Sequence, residues 1–288
     1  VFIGPDGCGK SFAADSLARL DHPGRPLYRV AMSTYQNDNE AAGLIGVRPF
    51  YKTARPGELT SFVRDNPEAM LIFEDFDRAH PNVQDVLAPM LAKGALVDQC
   101  GFHDGDPRQG RQIAPPEVDF SRTLIVFTTS LGRKLYDDEA WVARMTEKPG
   151  MLDNILVQEV AGATSDHYAS RQPAVGRSLM AELGNLEWVL FRRLDLDALM
   201  KIAGRQFESL DGMVRNGGYG SLQLGDGGAD DVRELLTTVV LANGPEPKPA
   251  LLEAQNLART YLGPVLEQAA PARGTLTVNL AETAKINL

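Results

Sequence analysis

The chain has 288 residues, 43% of them hydrophobic and 23% charged, which is enough apolar material for a large core and a length that suits about two domains. Its net charge of −9 argues against bulk attraction to nucleic acid or to an anionic membrane, and neither is expected as a partner. The two cysteines, Cys8 and Cys100, make no disulfide framework and suit a reducing cytoplasm, and no apolar run approaches the ~20 residues of a membrane span.

Val1-Phe2-Ile3 is a short apolar run, and Gly4-Pro5-Asp6-Gly7-Cys8-Gly9-Lys10-Ser11 follows it at once. The spacing is that of a phosphate-binding loop, delivered by a buried strand. Its glycines let the backbone bend so that successive N–H groups converge on phosphate oxygens. Lys10 brings a point charge to the β- and γ-phosphates, and the Ser11 hydroxyl is a ligand for Mg²⁺. The next stretch predicts a helix with Phe12, Ala13, Leu17 and Leu20 on one face, whose N-terminal dipole adds to the anion site. Residues 4–12 are thus the expected nucleotide-binding set. The sequence opens inside this first strand, and we expect a longer natural chain with further segments upstream.

Residues 26–31 predict a second strand after the turn at 21–24. Residues 43–57, rich in Gly, Pro and Arg, predict a loop, and residues 59–64 a short helix. Met70-Leu71-Ile72-Phe73 is continuously apolar and ends in Glu74-Asp75, as a parallel strand buried on both faces would. Residues 83–91 are helical by period. Residues 99–117 form a long polar insertion, where the spacing of His103, Asp104 and Asp106 fits neither a zinc site nor an EF-hand. Residues 123–127 predict a strand tipped by Thr128-Thr129-Ser130, and residues 187–191 a fifth. Strands alternating with helices predict an α/β layer with a parallel sheet. Beyond Arg193 the pattern turns helical over 196–214, 230–241 and 250–269, with two short β-like runs in 274–288. A boundary near 193 separates a larger domain, 1–193, from a smaller, mainly helical, lid-like one, 194–288. No G-x-S-x-G, H-E-x-x-H or paired C-x-x-C is present.

With these segments in place, the chain resembles the C-terminal ATPase module of Clp-type AAA+ unfoldases and disaggregases. The resemblance is carried in order by Met32-Ser33-Thr34-Tyr35, Leu44-Ile45-Gly46, Pro49-Phe50-Tyr51, Gly57-Glu58-Leu59-Thr60, residues 71–81 ending in Ala79-His80-Pro81, and residues 118–132. It implies a P-loop AAA+ fold with a five-stranded parallel sheet, and ATP with Mg²⁺ as ligands. Glu74 and Asp75 would handle metal and the attacking water, with Glu74 on the Mg²⁺ and Asp75, alone or together with Glu74, as the base, and Ser130 would orient that water. Phe50, Tyr51 and Lys52 would form a pore loop that grips a polypeptide, and the 99–117 insertion falls where a second pore loop lies. The resemblance further implies a homo-hexameric ring, or a hetero-oligomer with an active AAA+ subunit. The Ile-Gly-Leu or Ile-Gly-Phe loop that docks the Clp peptidase is not evident, so that partner is not expected.

Four positions depart from the family's pattern. The acidic pair reads Glu74-Asp75 where the family has Asp-Glu, and a shift of about 1 Å at the attacking water can cost ~100-fold in rate. Ser130 stands where the family has Asn. Residues 181–186 contain no arginine finger, leaving Arg171, Arg177, Arg192 and Arg193 as candidates. Gly228-Ala229-Asp230 replaces a Gly-Ala-Arg second sensor. Two readings follow. One is an ATP-driven protein-remodelling motor acting on misfolded chains or on a secretion sheath. The other is a degenerate module that binds ATP structurally and serves assembly with little hydrolysis.

Overall fold

Residues 70–74 set the fold, because their side chains alternate between two buried faces. In the computed structural model, which describes residues 1–21, 23–132, 135, 149–164, 173–216, 222–224, 230, 232–234 and 276–278, they form β3 (Met70–Glu74). The other sheet strands are β1 (Phe2–Ile3), β2 (Leu27–Ala31), β8 (Leu124–Thr129) and β9 (Val189–Leu190), and the spatial order is β2-β3-β8-β1-β9. Every pairing is parallel, so the expected five-stranded P-loop α/β sheet is present. Met70 and Ile72 join Val126 and Ala14 on one face, while Leu71 and Phe73 join Ile3 and Phe127 on the other. Phe73 stacks on Phe127 at 4.9 Å between ring centres, and Phe76 meets the same ring edge-on at 5.6 Å. Each such pair adds about 0.5–1.5 kcal/mol beyond area burial.

The first helix, α1 (Lys10–Asp21), meets the sheet with only part of the face its sequence suggests, keeping Leu17 and leaving out Phe12 and Leu20. Phe12 and Leu20 are 71% and 82% exposed, and Ala14, Leu17 and Ala18 make the contact with Met70, Ile72 and Val126. The contact is centred on Ala14 and Ala18 beside Leu17, where small side chains let the helix lie close on the sheet.

Residues 43–45, expected in a loop, belong to α2 (Ala41–Ile45), and α3 (Glu58–Asp65) follows. The predicted helix over 83–91 is two, α4 (Pro81–Val86) and α5 (Ala88–Lys93), each with a proline in its first turn. The polar insertion is not a bare loop. It lies between β4 (Ala95–Val97) and β7 (Glu117–Asp119), which pair antiparallel, and inside it β5 (Phe102–His103) pairs antiparallel with β6 (Gln112–Ala114). Farther on come α6 (Pro149–Gly162) and α7 (Arg177–Leu183). The segment entering α7 is clamped by α4. Buried Gln84 donates to the carbonyls of Ala79 and Ala174 and accepts from Gly176 N–H, and Asp85 accepts from Ser178 and Leu179 N–H.

The chain separates into two compact units, Val1–Gly4 with Gly9–Phe191, and Pro5–Cys8 with Arg192–Leu288. The second holds α8 (Leu196–Asn216), whose start is capped by Asp195 Oδ1 accepting from Ala198 N–H at 2.7 Å. It also holds β10 (Leu222–Leu224) and β11 (Leu276–Val278), paired parallel with Leu222 opposite Leu276. The expected helix over 250–269 lies outside the described residues, as does most of the one over 230–241. No helix among the described residues is long and apolar enough to cross a membrane.

Candidate nucleotide site

In a parallel sheet the strand registers decide what meets at the carboxyl edge. Ile3 of β1 lies opposite Thr129 of β8, Phe73 of β3 lies opposite Phe127, and Glu74 closes β3 beside Ala31. The segments leaving this edge are therefore the loop that starts at Gly4, the acidic pair Glu74-Asp75 and the tip Thr129-Ser130. Three stretches far apart in sequence are brought together.

Gly4 N–H donates to the Thr129 carbonyl at 3.2 Å. A Cβ on Gly4 would lie 2.5 Å from the Phe191 carbonyl oxygen, so this position holds only glycine without backbone movement. The loop tip turns on itself, with Cys8 N–H donating to the Pro5 carbonyl at 3.4 Å, Gly7 at φ +79° and Cys8 buried. Asp6 is exposed. Gly9 has φ +97° and would meet nothing within 4 Å if it carried a Cβ, so glycine is required there by the backbone conformation and not by crowding. Lys10 opens α1 buried, its ammonium donating to the Gly4 carbonyl at 2.6 Å. Ser11 and Phe12 are exposed on the same turn.

The acidic pair splits. Glu74 Oε1 accepts from Arg29, whose other terminal nitrogen pairs with Asp15 of α1. Asp75 turns into the left-handed region (φ 49°, ψ 53°), the one non-glycine residue among those described with positive φ. Its N–H donates to the Thr128 hydroxyl at 3.0 Å, and its carboxylate lies 3.7 Å from Arg78 Nε. Two positions on, Asp77 is buried and accepts from the Thr129 hydroxyl at 2.6 Å, while that hydroxyl accepts from Leu131 N–H. Burial pushes the Asp77 carboxyl above the ordinary aspartate range. The Thr129 bond opposes the shift, and the charge of Asp75 adds to it.

Sequence reasoning missed Arg29, Asp15, Asp77 and the two threonine hydroxyls. The signal for Thr128 and Thr129 was present, since consecutive hydroxyls at the end of a buried strand need partners. Of the arginines named as finger candidates, Arg177 begins α7 and is exposed, Arg192 and Arg193 precede α8, and Arg171 lies outside the described residues. Gly228 and Ala229 of the second-sensor stretch lie outside them too, and Asp230 is exposed.

Away from the nucleotide edge, Phe50 and Tyr51 are 69% and 54% exposed with ring centres 4.4 Å apart, and Lys52 beside them is exposed. An antiparallel bridge between Val47 and Arg55 closes the loop that carries them. In the insertion, Asp106 is bound by Arg108, which holds its carboxyl at about 2.

The model of the AAA domain family, Cdc48 subfamily, matches residues 1–183. Among curated proteins, heat shock protein 100 of Trypanosoma brucei brucei is 28% identical over 236 residues, 81% of this chain and 24% of that protein. The chaperone protein ClpB of Mycobacterium tuberculosis (strain CDC 1551 / Oshkosh) is 34% identical over 165 residues, 55% of this chain and 18% of that one. The chaperone protein ClpB of Streptomyces albus G is 31% identical over 216 residues, 73% of this chain and 21% of that one. The chain thus spans about a quarter or less of the length of the relatives it matches.

Proposed function

The chain belongs to the AAA domain family, Cdc48 subfamily, with Clp-type chaperones among its relatives, and on that premise we propose that it binds and hydrolyses ATP to drive remodelling of polypeptides. The observation that carries this is that the strand registers bring the loop holding buried Lys10 and the Glu74-Asp75 pair to the same carboxyl edge of the sheet. The residues present suit a nucleotide with Mg²⁺, because Gly9 leaves open space one residue from a buried cation, and carboxylates stand at the same end of β3, two strands from β1 in the sheet. Ser11 and Glu74 would hold the metal, which when bound neutralises phosphate charge. Lys10 would exchange the Gly4 carbonyl for phosphate oxygens. The Asp75 carboxylate would accept the hydrogen bond of the attacking water and draw off its proton as the water oxygen bonds to the γ-phosphorus and the bond from that phosphorus to the β-phosphate oxygen breaks, releasing ADP and phosphate, with Ser130 orienting that water.

Further parts of the reading concern the whole assembly. Residues 1–193 would form the nucleotide-binding domain and residues 194–288 a smaller C-terminal one. The exposed Phe50 and Tyr51, with Lys52, suit a grip on an extended polypeptide in the pore of a six-membered ring, and misfolded chains or sheath proteins are the substrate classes. A degenerate module that binds ATP with little turnover is the second reading. The ion pair that ties Glu74 to Arg29 favours it, since a carboxylate engaged by a guanidinium is less available to a metal.

Titration of ATP binding beside steady-state turnover, with and without an unfolded polypeptide, tests both readings. Polypeptide-stimulated turnover above a Lys10→Ala blank supports the motor. Tight binding with turnover at the blank's level supports the degenerate module.

A further inference from the structure

Asp98 is 2% exposed, and its two carboxylate oxygens serve different loops. Oδ2 accepts from Gly57 N–H at 2.7 Å and from the Thr60 hydroxyl, where the loop of residues 46–57 ends and α3 begins. Oδ1 accepts from the N–H groups of Cys100 and Gly101, each at 2.9 Å, where the insertion turns into its β5–β6 hairpin. The surroundings are shaped to this contact. Gly46 has φ +90°, and a Cβ there would lie 2.6 Å from Asp98 Oδ1. One backbone bond also crosses the junction, Gln99 N–H to the Ile45 carbonyl at 2.6 Å, while Asp98 N–H to the Pro116 carbonyl at 2.8 Å closes the base of the insertion. Arg48 Nε donates to Gln99 Oε1 at 3.2 Å. A buried carboxylate is costly unless donors satisfy it, and here four do, two from each side.

We propose that Asp98 is a positioning residue that locks the loop bearing Phe50 and Tyr51 to the 99–116 insertion, so that the two move as one body when a polypeptide is gripped. The carboxylate is a rigid planar group with one oxygen committed to each loop. A displacement of either loop therefore strains or breaks charge-assisted bonds to the other. The functional consequence rests on the reading of the aromatic loop given above, whereas the coupling itself does not.

Asp98→Asn is the first variant. Its amide accepts on one side only and turns N–H donors toward donors on the other. Hydrogen exchange followed by mass spectrometry should show roughly 10- to 100-fold faster exchange in peptides covering both 46–57 and 99–116, with nucleotide affinity retained. Gly46→Ala is the second variant, because it presses on Asp98 Oδ1 from within the first loop alone. The amides of Cys100 and Gly101, across the junction, should then exchange faster too. A merely local structural role would not move them. Unchanged exchange in both variants, or loosening confined to the loop that carries each substitution, overturns the proposal. So does a general loss of protection in Asp98→Asn when Gly46→Ala loosens only its own loop. If both loops loosen together while polypeptide fails to stimulate turnover of the unaltered chain, the coupling stands and the reading of the aromatic loop falls.

Discussion

The backbone N–H of Asp75 donates to the hydroxyl of Thr128 at 3.0 Å, from one strand end to the next, at the residue that leaves β3 in a left-handed conformation. That conformation costs an L-residue about 1–2 kcal/mol, and the bond to β8 is what holds it. The bend turns the Asp75 backbone out of the strand direction at the sheet's carboxyl edge.

Asp75→Asn tests the carboxylate without disturbing the bend, since Asn tolerates the left-handed region nearly as well as Asp. If Asp75 is the base, turnover should fall roughly 100-fold or more while ATP affinity changes far less. Unaltered turnover would remove Asp75 from the chemistry. Thr128→Val should lower stability by about 1–2 kcal/mol, read by urea unfolding, because it leaves the Asp75 N–H without its acceptor.

Lys10→Ala should weaken ATP binding by about 100-fold or more, measured by titration with a fluorescent nucleotide, because the only charge that opens α1 is lost. In the structure this ammonium rests on the Gly4 carbonyl, so the variant also frees one loop carbonyl, and far-ultraviolet circular dichroism should show the fold intact. An unchanged affinity would sink the site assignment.

The P-loop, the five strands and the two acidic residues could be read from the chain because each is local: a spacing, an apolar run, a turn. What could not be read depends on partners distant in sequence. Nothing near Phe12 or Leu20 indicates that Ala14 and Ala18 join Leu17 against β3 and β8 in their place. The insertion looked like a polar loop because β5 and β6 are two and three residues long, too short for alternation to register. Arg29 sits in an edge strand, and only the β2–β3 pairing and the approach of α1 bring Glu74 and Asp15 to it. Nothing beside Asp77 in the sequence marks it for burial, and its hydrogen-bond partner Thr129 lies far along the chain.

Arg29 is about one-third exposed, so its pairs with Glu74 and Asp15 are worth little in stability. Arg29→Met should shift the unfolding free energy by less than about 1 kcal/mol. Its larger effect should fall on metal. With Glu74 released, the Mg²⁺ concentration that half-saturates the enhancement of nucleotide binding should fall several-fold, on the order of 1 kcal/mol in metal affinity. A Mg²⁺ dependence identical to that of the unaltered chain would mean that Glu74 does not meet the metal.

Asp77 gives a dependence on pH whose sign is fixed by burial. Its folded pKa stands above the unfolded aspartate value of about 3.9. Between those two values the native chain holds a proton that the unfolded chain has lost, so stability falls as pH rises through the window, and the whole cost is present above it. Asp77→Asn abolishes this titration and keeps an oxygen to accept from the Thr129 hydroxyl. Urea unfolding of both proteins over a pH series should therefore show the variant's stability relative to the parent declining as the solution is acidified. The decline should end near the ordinary aspartate pKa. A difference that stays flat, or that moves in favour of the variant on acidification, would show that Asp77 is not carried as a buried carboxylate against β8, and that the Thr129 contact is held by some other means.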